Sequence, residues 1–306
     1  MRIIILGTGG TGGYFGAKFA KAGEDVTFVA RGEHLRAIRE RGLVIRSAIE
    51  GEWSVKVRAV ESLQGEPPAD LVLFCVKSFD TEQAAESLRP IVASQTGILS
   101  IQNGVDNEDK IGRILGASHV MGGIAYVFSF IEQPGIIVHR QLGRIVFGEM
   151  SGAPSKRATD FLGACRRAAI PAEISTNIRK TLWEKYVSLV PIAGATSLTR
   201  LPVKFIRDVP ETHRLWQMQV EELLLLAKAS DARLDENMKT RCSEFLESLA
   251  PDNTSSLYQD LIAGKRLELD ALHGHATALG ERYGIPTPAL FAVYAALKPY
   301  IGGKPK

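Results

Sequence analysis

Gly7, Gly9 and Gly12 stand in the spacing G-x-G-x-x-G, within Gly7-Thr8-Gly9-Gly10-Thr11-Gly12-Gly13. That spacing, set between an apolar run and a helical pattern, suits a backbone cradle for a pyrophosphate. The first glycine permits a tight turn, the second lets the backbone approach the phosphates, and the third lets the helix pack closely on the strand. A helix starting there offers unpaired N–H groups and the positive end of its dipole to an anion. The next apolar run, Val26-Thr27-Phe28-Val29-Ala30, ends at Arg31. An acidic residue at that point meets a free ribose 2′-hydroxyl, whereas an arginine suits a 2′-phosphate. A guanidinium is a planar, permanently charged fork that matches phosphate. Arg31 therefore favours NADP(H) over NAD(H), with Glu33 close behind as the competing acid.

A nicotinamide cofactor brings its own hydride. The protein must then deliver a proton to the developing oxyanion and anchor the substrate. Lys185, in Leu182-Trp183-Glu184-Lys185-Tyr186, is a candidate proton donor. Apolar and aromatic neighbours lower a lysine pKa by desolvation. The alternative is an exposed lysine beside Glu184. Glu268, in Arg266-Leu267-Glu268-Leu269-Asp270, either accepts hydrogen bonds from a substrate hydroxyl or holds Lys185 in place. Lys77 and Asn103 each follow an apolar run, at the edge where ligands of open α/β sheets bind. A turn or a solvated strand-end charge would account for either one alone. Ser255 and Ser256 either cap a helix or bind a carboxylate, and pattern alone favours the cap. The six histidines show no metal spacing; His273 and His275, two apart, face different sides of a helix. Cys75, Cys165 and Cys242 are far apart, so neither a metal site nor a disulfide framework is expected.

The elements that must hold these residues follow from periodicity. Residues 2–6 read as a buried strand, 10–22 as a helix ended by Gly23, and 26–30 as a second strand. A helix over 33–41, closed by Gly42, precedes two strands, 43–45 and 53–57, paired around Glu50-Gly51. A strand over 70–77, a helix over 81–92 and a strand over 97–101 continue the alternation of a doubly wound parallel sheet. Residues 119–148 read as four short strands, with a turn at Pro134-Gly135. A helix over 154–169 and a strand over 171–174 close the first half. From about residue 177 helical periods take over, with helices at 181–193, 210–230, 235–249, 255–263 and 267–283, and a last one ending near Lys298. The run Leu223–Leu226 is apolar nearly all round, which marks a central helix. The last five residues, 302–306, are expected to fray.

The 306 residues suggest two domains. Hydrophobic content of 45% and charged content of 23% are those of a globular chain. Thirty-seven basic against 34 acidic residues leave a net charge of +3, with no dense basic run. Nucleic acid and membrane surfaces are therefore not expected partners. No apolar run reaches the length of a membrane span, and the chain enters a needed strand at once rather than a cleavable signal. A cytoplasmic location is expected. The long apolar helices either fill a core or form a homodimer surface.

Taken together, the motifs resemble those of the ketopantoate reductases (2-dehydropantoate 2-reductases). The resemblance runs through Gly7-Thr8-Gly9-Gly10-Thr11-Gly12, Val76-Lys77, Gln102-Asn103-Gly104, Ile178-Arg179, Leu182-Trp183-Glu184-Lys185, Ser255–Asp260, Leu267–Asp270 and Gly284–Pro288. It implies an α/β fold: an N-terminal Rossmann-type dinucleotide-binding domain (1–176), then an all-α C-terminal domain (177–306), with the active site in the cleft between them. It implies NADPH-dependent reduction of a small 2-oxo acid, 2-dehydropantoate, to pantoate on the way to coenzyme A. By that analogy Lys185 protonates the carbonyl oxygen, and Glu268 binds the substrate's hydroxyl side and orients Lys185. Asn103 lies against nicotinamide and substrate, Ser256 contacts the carboxylate, and Arg31 and Lys77 take the 2′-phosphate and adenosine side. Best-known members carry Asn one and two turns beyond the lysine, where this chain has Leu189 and Ala193. Ser188, at i+3, is the polar residue left to substitute for them, and Leu267 replaces a common Thr. That departure leaves open a reductase of a more apolar 2-oxo acid, or a silent NADPH sensor.

Overall fold

The structure, a computed structural model, describes residues 1–305; Lys306 lies outside them. The chain divides into two compact units: Met1–Gln102 with Asp106–Ile178, and Asn103–Val105 with the chain from Arg179 onward. The first unit opens with β1 (Arg2–Leu6), α1 (Gly10–Lys21), β2 (Asp25–Val29) and α2 (Gly32–Arg41). There follow β3 (Leu43–Ser47), β4 (Gly51–Val55), β5 (Arg58–Val60), β6 (Leu71–Phe74), α3 (Thr81–Glu86) and β7 (Gly97–Ser100). The unit closes with α4 (Asn107–Leu115), β8 (Val120–Gln133), β9 (Ile136–Glu149), α5 (Lys156–Arg167) and β10 (Ala172–Ile174). All strands join one sheet in the order β4-β3-β9-β8-β7-β6-β1-β2-β5, with β10 beside β9.

β1 is central and parallel to both neighbours, Ile4 pairing with Thr27 on one side and Val72 on the other. Its residues Ile3, Ile4 and Ile5 are fully buried, as expected for a strand covered on both faces. β4 and β5 lie at opposite ends of the sheet, yet only Lys56 and Val57 separate them. Consecutive Cα atoms are about 3.8 Å apart, so Val55 and Arg58 lie within about 11 Å of each other. The sheet therefore curls on itself around α1, whose residues from Gly12 to Phe19 are all buried.

The four short strands expected over 119–148 are two long ones. β8 and β9 run 14 residues each, antiparallel, around the Pro134-Gly135 turn. Register shifts after Tyr126, Phe128 and Ile131 interrupt the alternation, and Leu142 (φ +65°) and Gly143 (φ +124°) bend β9. A bulge breaks the period of two without ending the strand, which is why the pattern read as four pieces. The helix expected over 81–92 stops at Glu86; Arg89–Ile91, which contains Pro90, is a 3₁₀ turn.

The second unit comprises α6 (Ile178–Thr199), α7 (Lys204–Asp208), α8 (Pro210–Ala229), α9 (Met238–Ser248) and α10 (Ser256–Ile262). A π turn (Asp270–Gly274), α11 (His275–Tyr283) and α12 (Pro288–Leu297) complete it. α6 does not stop at 193; it continues through Pro191 and Gly194 for 22 residues. Residues 190–197 are buried all round, so packing overrides the missing N–H of Pro191. Gly194 has no side chain because His273 fills that space; a Cβ there would lie 2.4 Å from His273 Nε2. Residues 267–283 are likewise not one regular helix, being widened at the π turn. Glu222 on α8 accepts the Ala289 and Leu290 N–H groups (2.8 and 2.9 Å) and so caps α12. Gly303 packs on Gly264 rather than fraying. No helix among the described residues is long and apolar enough to cross a membrane.

Candidate active site

In the first unit a groove of about 540 Å³ runs past Gly7–Gly9, the end of β2, residues 61–64 and the start of α3. β1 delivers the glycines to its floor. Gly7 takes φ +99°, and a Cβ on it would lie 2.7 Å from Val76 N. A Cβ on Gly12 would meet Gly7 O at 2.3 Å, so α1 sits directly on the turn. A Cβ on Gly10 would meet Ser129 O at 2.2 Å, because β8 crosses over the start of α1. At Gly9, by contrast, nothing lies within 4 Å. The N-terminus of α1 has no side-chain cap and no acid in its first turn. Its positive end is left for an anion. Thr8 does not face that anion position with its hydroxyl, which donates to Val29 O (2.9 Å) and ties β1 to β2. Thr11, half-buried, lies in the first turn of α1. The open cradle at Gly9 beside an uncapped helix fits a dinucleotide pyrophosphate.

Arg31 precedes α2, is exposed, and lines the groove. His34, which sequence reasoning missed, lines it too. Its Nδ1 accepts the Gly135 N–H (3.0 Å), which fixes the tautomer with the proton on Nε2. That Nε2 is buried without a hydrogen-bond partner, and burial holds the ring's pKa below the usual histidine range. Gln64, Gln83 and Ile131 also line the groove and were missed. They come from a loop, a helix and a bulged strand that carry no motif. Lys77 is exposed just beyond β6; the groove wall takes Val76 and Asp80 from either side of it. Gln102 Nε2 donates to Val76 O (2.8 Å) and Thr81 Oγ1 (2.9 Å), fixing the end of β7 where Asn103 follows. Asn103 is half-buried and is held with the second unit, in whose core Val105 packs.

In the second unit α6 carries Lys185. Burial holds the Lys185 pKa down at about 8, and the nearby Glu268 carboxylate pulls it the other way. Glu268 itself is 8% exposed, flanked by core residues Leu267 and Leu269. These two sequence candidates are thus brought together. Glu184, the residue before Lys185 on α6, is turned to Arg241 on α9 (2.8 Å). Ser188 is turned away to its own helix and α9: its hydroxyl donates to Glu184 O (2.9 Å) and lies 3.6 Å from Cys242 Sγ. Leu189 is half-buried, while Ala193 is 1% exposed within the core. Ser255 accepts the Tyr258 N–H (3.0 Å) as the cap of α10 and meets Thr196 Oγ1 at 2.9 Å. Ser256, the first residue of α10, is exposed. A partly buried ammonium with a depressed pKa beside a carboxylate is suited to giving a proton to a developing oxyanion. No cluster of three or more His, Cys, Asp or Glu side chains placed to hold a metal occurs among the described residues.

Known proteins resemble the chain over nearly its whole length. The family described as Ketopantoate reductase PanE/ApbA matches residues 3–152, and its C-terminal counterpart matches residues 177–300. A 2-dehydropantoate 2-reductase of Pyrococcus abyssi is 30% identical over 298 residues, covering 97% of each chain. An uncharacterised oxidoreductase, YkpB, of Bacillus subtilis is 27% identical over 302 residues, covering 98% of this chain and 99% of its own. The crystal structure of a PanE/ApbA family ketopantoate reductase from Ralstonia eutropha superposes with a TM-score of 0.91 at 31% identity, covering 98% of each chain.

Proposed function

We propose, from the premise that the chain belongs to the ketopantoate reductase PanE/ApbA family, that it reduces 2-dehydropantoate to pantoate with NADPH. The observation that carries this is the Lys185–Glu268 pair: a lysine held near pKa 8 by burial, with a buried carboxylate beside it. NADPH supplies the hydride when bound. The Gly7-Thr8-Gly9-Gly10-Thr11-Gly12 backbone and the start of α1 would hold its pyrophosphate, and Arg31 and Lys77 would take its phosphorylated adenosine side. Lys185 Nζ gives its proton to the carbonyl oxygen as that oxygen becomes an alkoxide. Glu268 orients Lys185 and accepts the substrate's hydroxyl. Asn103 would contact nicotinamide and substrate, and Ser256 the substrate carboxylate. The product would feed pantothenate and coenzyme A synthesis in the cytoplasm.

The experiment is NADPH oxidation by the purified protein against 2-dehydropantoate and a panel of other 2-oxo acids, read as a function of pH. A general acid must be protonated to act. The expected rate is flat well below pH 8 and falls tenfold per unit above it, as Lys185 loses its proton. A rate that rises with pH, or stays flat past pH 10, overturns Lys185 as the donor. A second reading rests on Leu189, half-buried on α6, whereas Ala193 lies within the core. A pocket that lacks partners for a substrate hydroxyl discriminates poorly for it, so a more apolar 2-oxo acid would then be the better substrate. A silent NADPH sensor is disfavoured, because a sensor needs the glycine cradle but no buried lysine–carboxylate pair.

Cofactor preference is tested separately. Arg31→Ala removes a charge-assisted contact to a 2′-phosphate, of the order of 1.5–3 kcal/mol. The expected result is a KM for NADPH raised about 10- to 100-fold, with the KM for NADH nearly unchanged. Equal losses for both cofactors would exclude a 2′-phosphate role for Arg31.

A further inference from the structure

α6 and the π turn touch at more than the catalytic pair. Tyr186, the residue after Lys185, is 2% exposed, and its hydroxyl donates to the carbonyl of Leu272 within the π turn. The N–H of Leu272 donates to the carbonyl of Glu268 (3.2 Å). Leu272 therefore links the two: one side of its backbone takes Tyr186, and the other takes Glu268. The Glu268 carboxylate in turn acts on Lys185, the peptide neighbour of Tyr186. The four residues form a closed loop, Lys185–Tyr186–Leu272–Glu268.

The π turn is what makes such a loop necessary. The His275 N–H reaches back five residues to Asp270 O, which widens the helix by one residue. The turn opens α11, with the non-helical residues 265–268 before it; π turns are rare and frequent at functional sites. If it relaxed to α-helix by one residue, the side chains before it would rotate by about 100° relative to those after it. Glu268 lies just before the turn, and the core residues Ala276 and Leu279 lie after it. Behind the turn His273 rests against Gly194, and its Nε2–H donates to Gln219 Oε1 (3.2 Å), so α6 and α8 also seat the turn from its inner side.

We infer that Tyr186 is a positioning residue: its hydroxyl fixes the register of the Asp270–Gly274 π turn and through it the placement of the Glu268 carboxylate against Lys185. This rests on the reading of Lys185 as proton donor. The Glu268 carboxylate acts on Lys185, and Glu184 beside it is held by Arg241. Loss of the Tyr186 hydroxyl therefore has a definite sign. Glu268 favours the charged lysine, so its withdrawal lowers the lysine pKa.

The test is Tyr186→Phe in the full chain, which keeps the ring in the core. Three quantities are read: kcat against pH, NADPH affinity, and the titration of the Lys185 side chain by nitrogen NMR with Lys185→Ala giving the assignment. The expected result is kcat reduced about ten- to hundredfold, NADPH affinity unchanged, and the Lys185 titration and the alkaline limb both moved to lower pH. Tyr294→Phe is the companion variant. It removes the 2.8 Å bond from Tyr294 to Asp270 at the exposed start of the same turn, and it should leave the Lys185 titration where it was. The inference is overturned if Tyr186→Phe leaves that titration in place, or if Tyr294→Phe moves it equally. The NMR titration needs no substrate. A shifted titration in a protein that reduces no 2-oxo acid would uphold the positioning role and sink the proposed reaction instead.

Discussion

Replacing Lys185 with alanine is expected to lower kcat by about 10²- to 10⁴-fold, the usual worth of a positioned general acid. NADPH affinity should survive, because the glycine cradle and Arg31 belong to the other unit. The size of the loss follows from the lysine's surroundings. Burial holds it near pKa 8, so it is largely protonated at neutral pH yet ready to release the proton. Water at that position would be a far weaker acid. Lys185→Arg should do no better than alanine, since a guanidinium does not release its proton in the working pH range. Cofactor binding is followed by NADPH fluorescence and turnover by absorbance. A Lys185→Ala protein that still turned over within a few fold of the parent would remove the proposed mechanism.

The second large effect is expected at Gly10. Alanine is ordinarily worth about 1 kcal/mol over glycine inside a helix, so propensity alone favours Gly10→Ala. Packing opposes it more strongly. The new Cβ would lie 2.2 Å from Ser129 O and 2.7 Å from Phe130 Cα, both backbone atoms that cannot rotate aside. Either β8 lifts off α1 or the cradle distorts. Overpacking of this kind costs about 1–3 kcal/mol, more where backbone must move. The expected result is a clearly lowered melting temperature and a loss of NADPH binding. Gly9→Ala separates the two causes. It has open space around the new Cβ, so its melting temperature should hold while its NADPH affinity falls, because the methyl group intrudes where the pyrophosphate would lie. Thermal melts with and without NADPH decide between these outcomes. A stabilised Gly10→Ala protein with full NADPH affinity would contradict the close approach of β8.

The glycine cradle was legible in the sequence because its chemistry is local. The turn, the close helix and the open approach are set by residues within six positions of one another, Gly7 to Gly12. Arg31 could be named for the same reason, two residues past β2 and before α2, and it lines the groove. His34 was not, since its role in the groove depends on Gly135, about a hundred residues away. Lys185 and Glu268 could be named as residue types suited to the chemistry, and their pairing stood as one of two alternatives until the family resemblance favoured it. Their approach is set by the packing of α6 against the π turn, and no periodicity announces a π turn inside a helical pattern. Ser188 looked like a substitute for the missing amides by helical spacing alone. Its hydroxyl instead bonds back to Glu184 O, a local competitor that Ser meets routinely in helices. The placement of residues 103–105 with the second unit was hidden too, because it depends on where Val105 finds apolar neighbours.

The two-residue link between β4 and β5 bears on how the protein behaves in a crowded solution. An open sheet ends in two rows of unpaired backbone groups, each a template on which another chain can add a strand. Here the strand path offers five residues at one end and three at the other, with the three of β10 beside β9 as a further short edge, and the link draws the two ends of the path toward each other. Glu52, Lys56 and Arg58 place charge of both signs along that short seam. A foreign strand would find few ladder positions there and would have to bury charge to use them. A ten-stranded sheet thus carries little more self-association hazard at its edges than a small one.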